Sequence, residues 1–156
     1  MEAIEVYIAS SWRHAATVTN LTQKLRDMGL TVHSWLENSG NEDPTLKDFD
    51  LESWLLTQDS ERCFQFDLDG LRRVNLMIYV GPSGIDAWAE VGFVAGRGDC
   101  LIWALWGANE EVGIMRKLLD SRFSTKTELL EAVLARFGIE KRLEQPKTVD
   151  SSRSNL

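Results

Sequence analysis

The sequence predicts an α/β protein, a three-layer sandwich in which helices cover a parallel sheet of four to five strands. Short apolar runs rich in β-branched residues alternate along the chain with longer segments of helical periodicity, which is typical of parallel sheets. The chain has 156 residues and is 44% hydrophobic, which suits one domain with a substantial core. No apolar run is long enough to cross a bilayer.

The first elements form a βαβ unit. Residues 4–9, Ile-Glu-Val-Tyr-Ile-Ala, predict a strand. A helix is predicted over 15–28 and ends at Gly29, a typical C-cap residue. Its apolar residues have helical spacing: Val18, Leu21, Leu25 and Met28. A second strand follows over 31–36, so we expect two parallel strands joined by a right-handed crossover.

The rest of the chain continues the alternation. In order, we predict a surface loop over 37–46, a helix over about 46–57, a helix that Ser60 caps and that extends to Val74, a strand over 75–80, a helix over 86–97, a strand over 100–106, and helices over 110–120 and 126–137. Thr125 and Glu128 form a capping box at the last helix. These elements predict a Rossmann-like or flavodoxin-like sheet within residues 1–142, followed by a disordered polar tail over 143–156.

Composition argues against several classes of function. The net charge of −7 disfavours binding of a nucleic acid polymer, which requires clustered Lys and Arg. Cys63 and Cys100 have no close partner in sequence, and His14 and His33 are the only histidines. Neither a disulfide framework nor a metal site is therefore expected, and we predict no cofactor. The N-terminus lacks the layout of a signal peptide, so we expect a cytoplasmic protein with no membrane partner.

The most informative stretch is the strand that begins at Leu76, the turn Pro82-Ser-Gly84, and the helix that carries Glu90. Ligands bind at the carboxyl ends of parallel strands, where this turn is predicted to lie. A carboxylate presented there can attack or stabilise a carbon that develops positive charge. Taken alone, Glu90 is more simply a carboxylate that complements the helix dipole.

Three segments together resemble the nucleoside 2-deoxyribosyltransferase-like family, which includes the deoxynucleoside-phosphate N-hydrolases and CMP hydrolases. They are Val6–Ser11, Asp67–Asn75 and Pro82–Gly92, the last being similar to a Pro-Ser-Gly…Glu-x-Gly signature. The resemblance extends over residues 4–137 in the order of the family. The strand, loop and helix glutamate are also similar to those of TIR domains, which cleave the glycosidic bond of NAD.

This resemblance implies roles for individual residues. Glu90 matches the family's nucleophile, or the carboxylate that stabilises the sugar cation. Asp67 matches an aspartate that helps to protonate the leaving base. Ser83 matches a turn serine that contacts phosphate in nucleotide-cleaving members, and Tyr7 lies near a tyrosine that orients the glutamate.

The chain also departs from the family's pattern. Asn75 stands where the family usually has Asp, and the stretch before Glu90 is one residue longer than in some N-hydrolases. Asp86 and Trp88 replace smaller residues, and residues 10–13 replace a Gly-rich loop. These differences bear on which substrate is bound.

Cleavage of an N-glycosidic bond needs positive charge on the anomeric carbon to be stabilised and the departing base to be protonated. Two carboxyl groups in different environments can divide this work. Glu90 would stay ionised and face the sugar, while Asp67 or Asp86 would be kept protonated by burial or by repulsion. A covalent glycosyl-Glu90 intermediate would permit water or a second base to accept the sugar, so hydrolase and transferase both remain open.

The binding residues are predicted from the same loops. Serine hydroxyls and the amides of the first helix form an anion site, an arginine adds a bidentate contact, and tryptophans, Trp35 among them, provide a stacking face. The predicted binding set is Tyr7, Ser10, Ser11, Trp12, Arg13, Ser83, Gly84 and Trp88. The simpler alternatives are that Asp86 is the N-cap of its helix, that Ser83 is only a turn residue and that Tyr7 belongs to the core.

We therefore predict an enzyme that cleaves or transfers at the N-glycosidic bond of a nucleoside or nucleoside 5′-monophosphate. The resemblance implies a homodimer or larger homo-oligomer. The alternatives are a TIR-like NAD glycohydrolase and a nucleotide sensor that binds without turnover, which Asn75 in place of an acidic residue would favour.

Overall fold

The computed structural model describes residues 3–38, 48–110 and 113–139. Five parallel strands form one sheet in the order β2-β1-β3-β4-β5, which confirms the predicted fold class. The strands are β1 (Glu5–Ala9), β2 (Thr31–His33), β3 (Leu76–Val80), β4 (Leu101–Leu105) and β5 (Ser121–Phe123). The α-helices are α1 (Ala15–Asp27), α2 (Leu51–Leu55), α3 (Gln58–Arg73), α4 (Ile85–Arg97) and α5 (Lys126–Phe137), and 3-10 helices span Trp12–His14, Trp35–Glu37 and Ile114–Leu118.

The helices lie on both faces of the sheet. α3 and α4 contact each other and both pack on β1. On the other side, the Lys126 ammonium of α5 donates to the Asn20 side chain of α1. Right-handed crossovers explain this division. The chain passes from β1 to β2 through α1 and from β3 to β4 through α4, and these two steps run in opposite directions along the sheet. The two helices therefore lie on opposite faces.

β3 is the centre of the core. All five of its residues are buried, and it pairs in register with β1 and β4, with Tyr7 opposite Met77. A strand buried on both faces carries a continuous apolar run. α4 ends at Gly98, whose φ of 76° is the left-handed conformation that glycine adopts without strain.

Several predicted boundaries are corrected. β2 ends at His33, and residues Trp35–Glu37 turn into a 3-10 helix. Thr57, not Ser60, is the N-cap of α3, since its hydroxyl accepts the Ser60 amide at 3.2 Å. The helix predicted over 110–120 is instead the short 3-10 helix Ile114–Leu118, followed by the unpredicted strand β5.

The helix predicted over 46–57 is shorter than expected, because α2 begins at Leu51 after its N-cap Asp50. Most of the predicted loop over 37–46 and the whole predicted tail over 143–156 lie outside the described residues. No helix of the described ranges is long and apolar enough to cross a membrane.

Candidate active site

A cavity of about 560 Å³ opens where β1 and β3 end, between α3 and α4. The 3-10 helix after β1, Trp35 and α2 complete its walls. Its lining residues are Ser10, Ser11, Trp12, Arg13, Trp35, Phe49, Leu51, Trp54, Leu55, Ser60, Cys63, Phe64, Asp67, Leu68, Leu71, Gly84, Ile85, Asp86, Ala87, Ala89 and Glu90. A cavity of this size, mostly apolar with a few convergent polar groups, has the character of a small-molecule site.

Glu90 is held at this cavity by Tyr7. Tyr7 is fully buried in β1, and its hydroxyl donates to Glu90 Oε1 at 2.8 Å. Glu90 lies nearly two turns into α4, and α4 packs on β1 and β3. The carboxylate therefore lies beside the sheet instead of at the exposed start of the helix, which argues against a simple dipole-complementing role.

Asp67 reaches the same cavity from the opposite helix. One face of α3 lines the cavity through residues three or four apart, namely Cys63, Phe64, Asp67 and Leu71. Within the described residues, Asp67 Oδ1 is buried and has no hydrogen-bond partner. Burial raises the pKa of the Asp67 carboxyl to about 7. A buried carboxyl group with an unpartnered oxygen is thereby suited to carry a proton at neutral pH.

The pKa of Glu90 is raised to about 8, chiefly by burial and further by the charges of Asp67 and Asp86, while the Tyr7 hydrogen bond acts in the opposite direction. Burial also raises the pKa of Tyr7, and the nearby charge of Glu90 adds to this effect. Between pH 7 and 8 the two carboxyl groups therefore share about one proton. Clusters of titratable groups with shifted pKa values are typical of active sites.

Asp86 lies one helical turn before Glu90 and lines the cavity, but it is exposed. Gly84 is the N-cap of α4, so the alternative prediction that Asp86 caps this helix is wrong. The charge of Asp86 contributes to the raised pKa of Glu90.

Serines form the polar end of the cavity. Ser10 Oγ and Ser83 Oγ both donate to the Val80 carbonyl oxygen, at 3.0 and 2.7 Å. Ser83 Oγ also lies 3.4 Å from the hydroxyls of Ser10 and Ser11. Ser10 and Ser11 line the cavity, whereas Ser83 lies outside the lining and contacts both of their hydroxyl groups. His14 is satisfied locally, since its Nε2 lies 2.7 Å from the Pro82 carbonyl oxygen.

A second tyrosine–carboxylate pair, which the sequence analysis missed, fixes the turn before α4. Tyr79 is fully buried in β3, and its hydroxyl donates to Glu110 Oε1 at 2.5 Å and accepts the Ser83 amide at 3.0 Å. The Glu110 carboxylate packs against the backbone of Gly81, where a Cβ would lie 1.8 Å from Glu110 Oε2. That Cβ would also lie 2.6 Å from the buried Tyr79 ring, so a larger residue at position 81 would displace the side chains of the pair.

The three tryptophans that were candidates for a stacking face divide into two groups. Trp12 and Trp35 line the cavity and meet edge to face, with 5.0 Å between ring centroids. Trp88 lies outside the cavity lining and packs against Tyr79 at 4.7 Å. Trp88 and Glu90 are two positions apart on α4, and this separation turns one side chain by about 200° relative to the other. The two side chains therefore lie on opposite faces of the helix.

Asn75 lies at the opposite edge of the sheet. It precedes β3, and its Oδ1 accepts the Glu5 amide at 2.9 Å at the start of β1. The side chain therefore joins two strands at their amino ends. Its departure from the family pattern has no bearing on the cavity.

The cavity contains groups that sequence reasoning passed over. Phe49, Leu51, Trp54, Leu55 and Phe64 line it and form the apolar wall. Their sequence pattern gives no signal of a ligand, because three of them belong to α2, a helix of only five residues. Cys63 is also in the lining, and both Cys63 and Cys100 are free thiols.

The raised carboxyl pKa values predict an unusual stability profile. In the unfolded chain these carboxyl groups ionise near pH 4. Between that pH and about 7 to 8 the folded state binds more protons, so stability falls as pH rises. We expect Glu90→Gln to raise the melting temperature by about 2–4 °C at pH 8 and to leave it nearly unchanged at pH 5. Glu61→Gln, on the exposed side of α3, is the control, and an equal shift at both pH values would contradict the prediction.

Comparison with known proteins identifies the fold. No protein-family model and no curated protein matches the sequence. The structure is similar to that of a 2-deoxyribosyltransferase from the psychrotolerant bacterium Bacillus psychrosaccharolyticus, with a TM-score of 0.61, 20% identity, and coverage of 89% of this chain and 99% of that one. It is also similar to a conserved protein from Enterococcus faecalis V583, with a TM-score of 0.61, 14% identity, and coverage of 86% and 99%.

These similarities define the class of the protein by fold. The chain is an α/β protein with the architecture of a 2-deoxyribosyltransferase, as the resemblance of its sequence segments predicts.

Proposed function

We propose that the protein cleaves or transfers at the N-glycosidic bond of a nucleoside or nucleoside 5′-monophosphate. The observation that carries this proposal is the arrangement of two carboxyl groups in one cavity. Glu90 is oriented by Tyr7, and Asp67 faces the same space from α3 in an apolar setting. The shared fold with a 2-deoxyribosyltransferase supports the same chemistry.

In the proposed reaction the bond between the anomeric carbon and the base nitrogen breaks, and its electron pair stays with the base. Asp67 donates its proton to the departing base. An ionised oxygen of Glu90 bonds to the anomeric carbon, or stabilises its positive charge. Water, or the nitrogen of a second base, then displaces Glu90 and releases the sugar or a new nucleoside. The ionised Asp67 takes up the proton of that acceptor.

This reaction requires Glu90 to be ionised while Asp67 is protonated. Burial raises the pKa values of both Glu90 and Asp67 toward neutral pH, so near neutrality the pair holds a proton that either carboxyl group can carry. In the reactive form Asp67 carries that proton. The Tyr7 hydrogen bond and the developing positive charge of the sugar both favour the ionised Glu90.

The polar end of the cavity suits the sugar or its phosphate. Ser10 and Ser11 supply hydroxyl groups, and Arg13 is an exposed cation at the same rim. The first turn of α4, which begins after Gly84, offers amide groups and the positive end of a helix dipole. Trp12 and Trp35 are placed to pack against the base. The protein we propose is a cytoplasmic homo-oligomer that needs no cofactor.

The test is a chromatographic assay for free base. The wild-type protein is incubated with a panel of nucleosides, 5′-mononucleotides and NAD, with and without an added second base. Release from a nucleoside or mononucleotide supports the proposal and names the substrate, and exchange with the second base identifies a transferase. Release from NAD alone indicates a TIR-like glycohydrolase. Binding of an intact nucleotide that raises the melting temperature, without any release, indicates a sensor.

The Tyr79–Glu110 pair allows a test of whether the polar end of the cavity binds the phosphate of the substrate. Tyr79→Phe removes the acceptor of the Ser83 amide and loosens the turn that supports Ser10 and Ser11. We expect the ratio of kcat/KM for the 5′-monophosphate to that for the nucleoside to fall about tenfold. Glu110→Gln, which still accepts from the tyrosine, should keep the ratio. An equal loss on both substrates would show that the tyrosine serves only the fold.

A further inference from the structure

The cavity extends beyond the two carboxyl groups and the serine end, and the lining of this further part is mostly apolar. The apolar wall consists of five large side chains and carries no ionisable group. Leu51, Leu55 and Phe64 are 49%, 57% and 57% exposed, respectively. Large apolar side chains that are grouped together and exposed in a concave site mark a surface that binds something.

The apolar wall begins directly beside Asp67. Phe64 lies three residues before Asp67 on the same face of α3, and Ser60 lies about 10 Å from Asp67 along the helix axis, at 1.5 Å per residue. Ser60 Oγ donates to the Leu55 carbonyl oxygen at 3.0 Å, which holds α2 over this end of α3. The wall thus runs from Asp67 along α3 and onto α2.

This placement specifies the chemistry of the group that meets the wall. The edges of ordinary nucleobases carry amino, carbonyl and ring-nitrogen groups that need hydrogen-bond partners. The five side chains of the wall hold one polar atom, Trp54 Nε1, which is buried and has no partner among the described residues. Ser60 and Cys63 line the cavity beside the wall, but the Ser60 hydroxyl already donates to the Leu55 and Thr57 carbonyl oxygens. A polar base edge placed there would lose its hydrogen bonds to water, whereas an apolar group would be favoured.

We propose that the leaving group of the substrate is a nitrogen heterocycle that bears a large apolar substituent, aromatic or branched, and that this substituent binds the apolar wall. The orientation rests on the proposed function, in which Glu90 faces the sugar and Asp67 protonates the leaving base. The heterocycle lies between Asp67 and the Trp12–Trp35 pair, and the substituent extends along α3 toward Leu55.

The test measures affinity separately from turnover. Glu90→Gln protein is titrated by calorimetry with two matched pairs of ligands, AMP with N6-benzyl-AMP and CMP with N4-benzyl-CMP. We expect the benzylated member of at least one pair to bind about tenfold more tightly or better. Phe64→Ala and Leu55→Ala, added to Glu90→Gln, should reduce that preference to about twofold. Leu56→Ala is the matched control, because Leu56 is 90% exposed and does not line the cavity.

Equal or weaker binding of both benzylated ligands would overturn the inference. So would a preference that persists in Phe64→Ala and Leu55→Ala. If these variants instead convert a dimer into a monomer in sedimentation and leave the ligand preference unchanged, the wall is an interface between copies of the chain and the inference fails. A wall-dependent preference without base release by the wild-type protein would support the binding of the substituent at the wall and reject the proposed chemistry, so that the heterocycle is a bound ligand and not a leaving group.

Discussion

Replacement of Glu90 by Gln is expected to reduce kcat by about a thousandfold or more, because the amide can neither attack the anomeric carbon nor stabilise its charge. The Gln side chain keeps an oxygen that accepts the Tyr7 hydroxyl, so the fold and the binding of substrate should be preserved. The measurement is initial-rate base release with the substrate that the panel identifies.

Two controls make this result specific. Glu61→Gln removes an exposed carboxylate from α3 and should leave kcat within about twofold of the wild-type value. Melting curves with and without substrate should show that Glu90→Gln still binds. Base release by Glu90→Gln at the wild-type rate would remove Glu90 from the reaction.

The second large effect is on pH dependence. The proposed reaction needs one proton on the Asp67–Glu90 pair, so a plot of kcat/KM against pH should be bell-shaped. Its maximum should lie between pH 7 and 8, because the pKa values of the two carboxyl groups are raised to this range. Below pH 7 both carboxyl groups become protonated and Glu90 cannot act on the sugar. Above pH 8 both are ionised and the base receives no proton. The rate should fall about tenfold per pH unit on each side.

Asp67→Asn should change the shape of this profile as well as its height. We expect kcat/KM to fall about a hundredfold or more with a base that needs protonation. The alkaline limb should disappear, leaving a single limb set by the pKa of Glu90, which burial still raises although the charge of Asp67 no longer does. Asp69→Asn, two residues away on the exposed side of α3, should keep the wild-type bell. An unchanged profile in Asp67→Asn would contradict its role as the acid.

Much of the fold could be predicted because its elements carry their signals locally. β1, β3, α4 and α5 each have a distinct periodicity or cap, and the capping box of Thr125 and Glu128 is present as predicted. β5 could not be predicted, because Ser121–Phe123 is too short to show a pattern and is a strand only through its pairing with β4. Local signals therefore predict long elements, and tertiary pairing determines the short ones.

The candidate site likewise has residues that the sequence indicates and others that only the tertiary structure brings together. Glu90 and Asp67 could be expected at one cavity, because each lies on a helix next to β3 and at the spacing that the family resemblance implies. The Tyr79–Glu110 contact joins residues 31 positions apart through a loop, so no sequence pattern reports it. The apolar wall likewise depends on how α2 packs on α3. The position of Trp88 outside the lining follows from its spacing, because two residues that are two positions apart on a helix lie on opposite faces.

The most direct test of the central claim is to find the sugar on Glu90. Wild-type protein is mixed with a substrate analogue that carries fluorine at the sugar 2′ position, which slows release from the enzyme, and is then quenched with acid and digested. Mass spectrometry should show the mass of the fluorinated sugar, with any phosphate, on the peptide that contains Glu90. Free base should appear in equal amount. A sugar adduct on another residue, or release of base with no adduct and an undiminished rate in Glu90→Gln, would contradict the account.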